Sequence, residues 1–172
     1  MKTVFFDVDT QIDFLYPAGA LYVPGAERLI PIIAKLNRSA PTLISTADAH
    51  TEDDPEFKLY PPHCVAGTLG QRKPRELLVP GQIMLEKQSV NCFTARALPG
   101  LLAELSADRY VVYGVVTEIC VMHAALGLLK TGKRVEIVTD AVKALNESSA
   151  RAFFADFQAA GGHLVTTQTS GL

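Results

Sequence analysis

Hydrophobic positions along this chain fall into two recurring patterns. Short β-branched runs read as buried strands of a parallel sheet, and apolar positions three and four apart read as one face of a helix. Residues 3–9 (TVFFDVD) predict a first strand whose acidic residues lie at its C-terminal end. Pro24-Gly25 opens a helix in which Leu29, Ile30, Ile33 and Leu36 share a face, and residues 42–46 predict a second strand. Strand, helix and strand with short connections make a βαβ unit. Periodicity is then lost from residue 47 to residue 80, a stretch rich in Asp, Glu, Pro, Gly and His. Loops of that length in a compact domain usually carry function.

Residues 81–86 predict a third strand ending at Lys87, followed by a turn near Phe93 and a helix from about Pro99 through Leu105. The run from Arg109 stops at Gly114, and by Cys120 the pattern is helical, with Gly132 as its C-cap. Residues 134–139 predict a fifth strand with Asp140 at its end. Asn146 caps a helix whose Ala150, Phe153, Phe154, Phe157 and Ala160 form the buried stripe, and residues 163–167 predict a last strand. The alternation predicts an α/β, single-domain, Rossmann-like doubly wound fold spanning residues 1–172. Its sheet is mostly parallel and six-stranded, with helices on both faces.

Composition narrows the function classes. The chain has 172 residues, 48% hydrophobic and 20% charged, enough for one substantial core. A net charge of −2, with Arg72, Lys73 and Arg75 as the densest basic cluster, argues against nucleic acid or an anionic membrane as partner. The N-terminus has no signal-peptide pattern, and no apolar run is long enough to span a bilayer. Cys64, Cys92 and Cys120 are odd in number and widely spaced, so a reducing, cytoplasmic location is expected.

Candidate chemistry gathers at strand exits. Among Asp7, Asp9 and Asp13, Asp9 is best placed for chemistry, and the others suit loop capping as well. Asp7-Val-Asp9 also invites a phosphatase reading, which Gln11 and the missing late Lys and acidic pair disfavour. Asp48, His50 and His63 share a polar loop and make a ligand set for Zn²⁺, Fe²⁺ or Mn²⁺; surface residues of a Pro-rich loop, or a metal-free Asp-His acid/base pair, are the competing readings. Lys87, expected beside the strand that carries Asp9, would depress neighbouring thiol and carboxyl pKa values, unless it is a strand-end Lys reaching for solvent. Cys120, at a strand-to-helix turn, is expected as a thiol whose anion the helix terminus stabilises. His123 lies among apolar neighbours and reads first as a packed histidine, Glu118 as an organiser of the turn.

These residues carry a family pattern. Asp9-Thr-Gln-Ile-Asp-Phe14, Asp48-Ala-His50, Tyr60-Pro-Pro-His-Cys-Val-Ala-Gly-Thr68, Glu86-Lys87 and Gly114-Val-Val-Thr-Glu-Ile-Cys-Val121 resemble the isochorismatase-like hydrolases, and within them the nicotinamidase-type cysteine amidohydrolases. The resemblance implies a catalytic triad of Asp9, Lys87 and Cys120, and a divalent metal, zinc first, on Asp48, His50 and His63. It implies a cis peptide between Val115 and Val116, an oxyanion hole from the backbone N–H groups of Val116 and Cys120, and pocket walls at Phe14 and Tyr60. The implied reaction releases ammonia from a small amide, nicotinamide first, through a thioester on Cys120. The implied assembly is a homo-oligomer, a dimer or tetramer.

Departures from the pattern bear on the substrate. Ala49 and Tyr60 stand where larger aromatics are usual, and Glu52, Asp53, Asp54 and Glu56 replace the Ser or His that often supports the metal. Another small amide, imide or carbamoyl compound therefore competes with nicotinamide. A metal-free vinyl-ether hydrolase and a catalytically silent binding module are the other readings, and the intact triad and ligand set count against both.

Overall fold

The computed structural model describes residues 1–169; the last three residues of the expected 1–172 domain lie outside it. Six strands form one parallel sheet: β1 (Thr3–Val8), β2 (Leu43–Asp48), β3 (Ile83–Lys87), β4 (Arg109–Val115), β5 (Arg134–Lys143) and β6 (His163–Val165). Their order across the sheet is β3-β2-β1-β4-β5-β6, the doubly wound order in which the chain reverses direction between β1 and β4. Helices α1 (Ile12–Leu15) and α2 (Ile30–Ser39) cover one face; α3 (Ala97–Leu105), α4 (Met122–Leu129) and α5 (Glu147–Ala159) cover the other. Among the described residues no helix is long and apolar enough to cross a membrane.

Strand alternation sorts the core. Val4, Phe6 and Val8 of β1 and Tyr110 and Val112 of β4 pack with Leu98, Leu128, Phe153 and Phe157 on one side. Phe5, Val111, Tyr113 and Val115 pack with Phe14, Leu15, Ile33 and Leu36 on the other. Both faces of the central strands are apolar because both are covered, which is why they read as continuous hydrophobic runs.

Several boundaries differ from the sequence reading: α2 begins at Ile30 after a 3₁₀ turn over Ala26–Leu29, α3 begins at Ala97, and β2 runs on to Asp48. β5 continues to Lys143 past Asp140, because pairing with β4 passes from Val112↔Ile137 to Gly114↔Val142 through a bulge. The Asp140 carboxylate is taken up by Thr167, whose N–H and Oγ1 donate to it at 2.9 and 2.5 Å. β6 stops at Val165, and Ala160 is exposed rather than part of the α5 stripe. Gly114 has φ +119, and a Cβ there would meet the Val8 carbonyl oxygen at 2.1 Å, so β4 can approach the end of β1 only without a side chain.

Glu136 of β5 accepts from Arg109 Nε at 3.0 Å and Arg134 Nε at 2.6 Å, its side chain 3% exposed. Burial opposes its ionisation, but the two guanidinium groups prevail and hold it below the ordinary glutamate value. A folded pKa below the unfolded one stabilises the fold at neutral pH, and that contribution is lost as pH falls through the folded value. Glu136→Gln should cost about 1–2 kcal/mol at neutral pH. Urea unfolding should show the gap to wild type closing below about pH 4.

Candidate active site

Asp9, Asp48, His50, His63, Lys87 and Cys120 lie at the C-terminal rim of the sheet, on both sides of the β1/β4 crossover, the place where open α/β sheets bind ligands. Asp9 follows β1 with φ +50, and its carboxylate Oδ1 accepts from Thr46 Oγ1 at 2.6 Å. Lys87 is the last residue of β3 and pairs in register with Asp48, the last residue of β2. It is therefore not beside the strand carrying Asp9, as the sequence leads one to expect, because β2 lies between them. The four-carbon stem spans that gap. Nζ lies 2.8 Å from Asp9 Oδ2 and 2.5 Å from Asp48 Oδ1, and donates to the Ser89 carbonyl at 2.9 Å. Cys120 Sγ lies 3.9 Å from the same ammonium.

Cys120 belongs to a π-helical turn, Thr117–Val121, that precedes α4, and the Val115–Val116 peptide leading into it is cis. Glu118 organises this turn: its Oε1 accepts the backbone N–H groups of Leu145 and Asn146 at 3.0 and 2.6 Å.

The electrostatics correct one expectation. Burial pushes the Cys120 thiol well above its ordinary pKa; Lys87 pulls it down, and the Asp9 and Asp48 carboxylates raise it further. Desolvation of the buried sulfur is the largest of these influences. Asp9 is likewise raised, by burial first and by Asp48, against the pull of Lys87. Burial disfavours the Lys87 charge, yet Asp9, Cys120 and Asp48 hold its pKa well above normal, so it stays an ammonium. Asp9 Oδ2 is buried and faces the Lys87 ammonium at 2.8 Å.

Beside this group lies the second cluster. Asp48 Oδ2 is 3.7 Å from His50 Nε2 and 3.9 Å from His63 Nε2, and one ligand atom from each residue lies within 4.8 Å of the others. Tetrahedral zinc with bonds of about 2.0–2.1 Å needs ligand atoms about 3.3 Å apart, a small contraction from these distances. Each imidazole is anchored through Nδ1: His50 to Asp54 Oδ2 at 2.9 Å, and His63 to the Pro61 carbonyl at 2.8 Å. His50 Nε2 is buried with no hydrogen-bond partner, as a ligand nitrogen would be. Burial would lower the His50 pKa, but Asp48 and Asp54 override it and hold it at about 9. Burial raises Glu56, and Asp48 raises it further. A buried surplus of carboxylate suits a divalent cation, and Asp48, His50 and His63 form a three-ligand set for one.

The structure also places residues whose role the sequence left open or did not reveal. Asp54 orients His50, and Glu56 Oε1 lies 3.9 Å from His63 Nε2. Phe57 packs its ring against both imidazoles, with centroids 5.3 and 5.6 Å away. Gln11 clamps Asp48 by accepting its N–H at 2.7 Å and donating to its carbonyl at 2.8 Å. Asp13 caps the loop, accepting Cys64 N–H at 2.7 Å. Only the type and spacing of Gln11 and Asp13 in the first motif pointed to them. Cys64 and Cys92 are buried, and burial raises both thiols. His123 is half-buried in a separate groove with Phe93 and Leu126, away from both clusters.

A narrow cleft of about 20 Å³ joins the clusters: Cys120, Asp48, Glu56 and His63 form its polar part, and Phe14, Tyr60 and Ile119 are among its walls. The thiol therefore opens to a cavity and is not sealed in apolar packing.

A parallel sheet with a thiol, a carboxylate and an ammonium at one rim, beside an Asp-His-His cluster, defines a class of α/β domain. This chain belongs to the isochorismatase family, whose domain pattern matches residues 3–169. It is 28% identical to a nicotinamidase of Acinetobacter baylyi over 172 residues, covering 81% of this chain and 80% of the relative. Among solved structures, PnC1 from L. infantum in complex with nicotinate aligns with TM-score 0.90 at 29% identity, covering 96% of this chain and 93% of that one. The pyrazinamidase of Pyrococcus horikoshii in complex with zinc aligns with TM-score 0.89 at 28% identity, covering 96% and 99%.

Asp54→Asn keeps the acceptor for the Glu56 N–H, 2.9 Å away, while removing the charge behind His50. Calorimetric titration with zinc should show an affinity about tenfold weaker than wild type, with the fold unchanged by circular dichroism.

Proposed function

We propose that this protein is a metal-assisted cysteine amidohydrolase that releases ammonia from a small planar carboxamide, with nicotinamide the leading substrate. The observation that carries this reading is the Lys87 ammonium, 2.8 Å from the Asp9 carboxylate and 3.9 Å from the Cys120 sulfur. Similarity to a nicotinamidase and to a zinc-bound pyrazinamidase supports the choice of amide and of metal. Ala49 and Tyr60, where larger aromatics are usual in nicotinamidases, keep other small amides, imides and carbamoyl compounds in the test.

In this mechanism Asp9 acts as the base. Burial raises its pKa and so strengthens it as a base, while Lys87 offsets the negative charge that forms on sulfur. The thiolate attacks the amide carbonyl carbon. The backbone N–H groups of Val116 and Cys120, at the entry of the nucleophile turn, receive the oxyanion. The tetrahedral adduct expels ammonia as Asp9 returns the proton to nitrogen, which leaves an acyl thioester on Cys120. Asp9 then deprotonates water, water attacks the thioester, and the acid departs as the thiol regains its proton. Asp48, His50 and His63 would hold the divalent ion, zinc first, which supplies a Lewis-acid anchor for a substrate lone pair. Phe14 and Tyr60 line the cleft beside His63 and would wall the substrate pocket.

The test is an ammonia-release screen over nicotinamide, pyrazinamide, carbamoyl compounds and cyclic imides. Wild type should release ammonia from at least one of them, and Cys120→Ala should lose about 10⁴-fold or more in kcat/KM. Chelation should abolish most of the activity, and added zinc should restore it. Ammonia release unchanged in Cys120→Ala would overturn the mechanism.

A further inference from the structure

Asp7 is the acidic residue of β1 that the site leaves unused. It is fully buried on the α2 face of the sheet, and four donors converge on it. Thr10 Oγ1 lies 2.7 Å from its carboxylate, Asn37 Nδ2 3.0 Å, Ser45 Oγ 3.2 Å and Lys73 Nζ 3.2 Å. The Lys73 side chain is 1% exposed, and its ammonium also donates to Thr10 Oγ1 at 2.6 Å. Tyr113 OH in turn donates to Asn37 Oδ1 at 2.7 Å, so the network extends from the long loop to β4.

Two placements give this network a consequence for the site. Thr10 directly follows Asp9, whose φ of +50 is in the left-handed region. The Thr10 hydroxyl donates to Asp7 and accepts from Lys73, so the residue after the proposed base is held from both sides. Lys73, for its part, comes from the loop that presents His63. That loop is laid along residues 11–13: Ile12 N–H donates to the Arg72 carbonyl at 2.8 Å, Asp13 N–H to the Gly70 carbonyl at 3.1 Å, and Gln11 Nε2 to the Gln71 carbonyl at 2.7 Å.

A buried ion pair gains little stability over an apolar pair of equal volume, because desolvation offsets the attraction; its best-attested use is to select one arrangement among several. We infer that Asp7, Thr10 and Lys73 form a positioning device, which holds Asp9 in reach of Lys87 and the His63 loop against Asp48. Its kinetic consequence rests on the amidase reading above. Its consequence for metal binding requires only the Asp48-His50-His63 cluster.

The experiment separates positioning from folding. Asp7→Leu/Lys73→Met removes both charges together, and Thr10→Val removes only the hydroxyl between them. Each is measured for thermal unfolding, for zinc affinity by calorimetry, and for kcat and KM on an amide that wild type hydrolyses. Expected is a lowered but still cooperative thermal unfolding in at least Thr10→Val, with the protein folded at the assay temperature, zinc affinity weakened about tenfold, and kcat reduced about tenfold or more with KM nearly unchanged. A folded variant with wild-type zinc affinity and wild-type kcat overturns the inference. If the double variant does not fold, Thr10→Val decides by the same criteria. If wild type hydrolyses no amide, the amidase reading fails, and zinc affinity alone still decides this one.

Discussion

One buried ammonium holds the two halves of this site together. Lys87 reaches across the end of β2 to touch Asp9 on one side and Asp48 on the other, with its side chain wholly enclosed. Neither carboxylate could stay ionised at that depth alone, since an isolated buried charge is expensive and escapes by neutralising. With Lys87 between them the cost is shared, but unevenly. Burial opposes the ionisation of Asp48, yet Lys87 and His50 hold it below its ordinary pKa, whereas Asp9 stays above its own. Two carboxylates of one residue type thus acquire different properties, one suited to hold a cation and the other to move a proton. Environments that push paired titratable groups apart are a common way to assign such roles.

The sheet makes this possible through register. Asp48 and Lys87 are terminal, register-paired residues of adjacent parallel strands, and Asp9 follows the end of the next strand over. A one-residue slip in either pairing would turn a side chain to the opposite face and separate the charges. The apolar core below therefore supports the site less by its bulk than by fixing strand alignment, with Gly114 letting β4 close against Val8.

On the cation side the arrangement is layered. Asp48, His50 and His63 face inward, while Asp54 and the Pro61 carbonyl hold the imidazoles from behind, and Phe57 packs on both rings. The loop carrying most of these residues has little regular structure of its own. Its shape comes from hydrogen bonds to Gln11, Ile12 and Asp13, so the first motif of the chain shapes both the surroundings of Asp9 and the Asp48-His50-His63 cluster.

By itself the sequence determined the α/β alternation, the parallel six-stranded sheet and the gathering of Asp9, Asp48, Lys87 and Cys120 at strand exits. Hydrophobic period and turn residues are local properties, legible along the chain. The strand order was not legible, and so Lys87 was expected next to the β1 strand when β2 stands between them. The Cys120 environment is a related case: a helix terminus can be seen in a sequence, but burial of the sulfur by residues from distant segments cannot. The extension of β5 past Asp140, the role of Asp54 behind His50 and the capture of Asp7 by Lys73 were likewise decided only in three dimensions. Each depends on partners brought together by tertiary packing, whose distances no local pattern encodes.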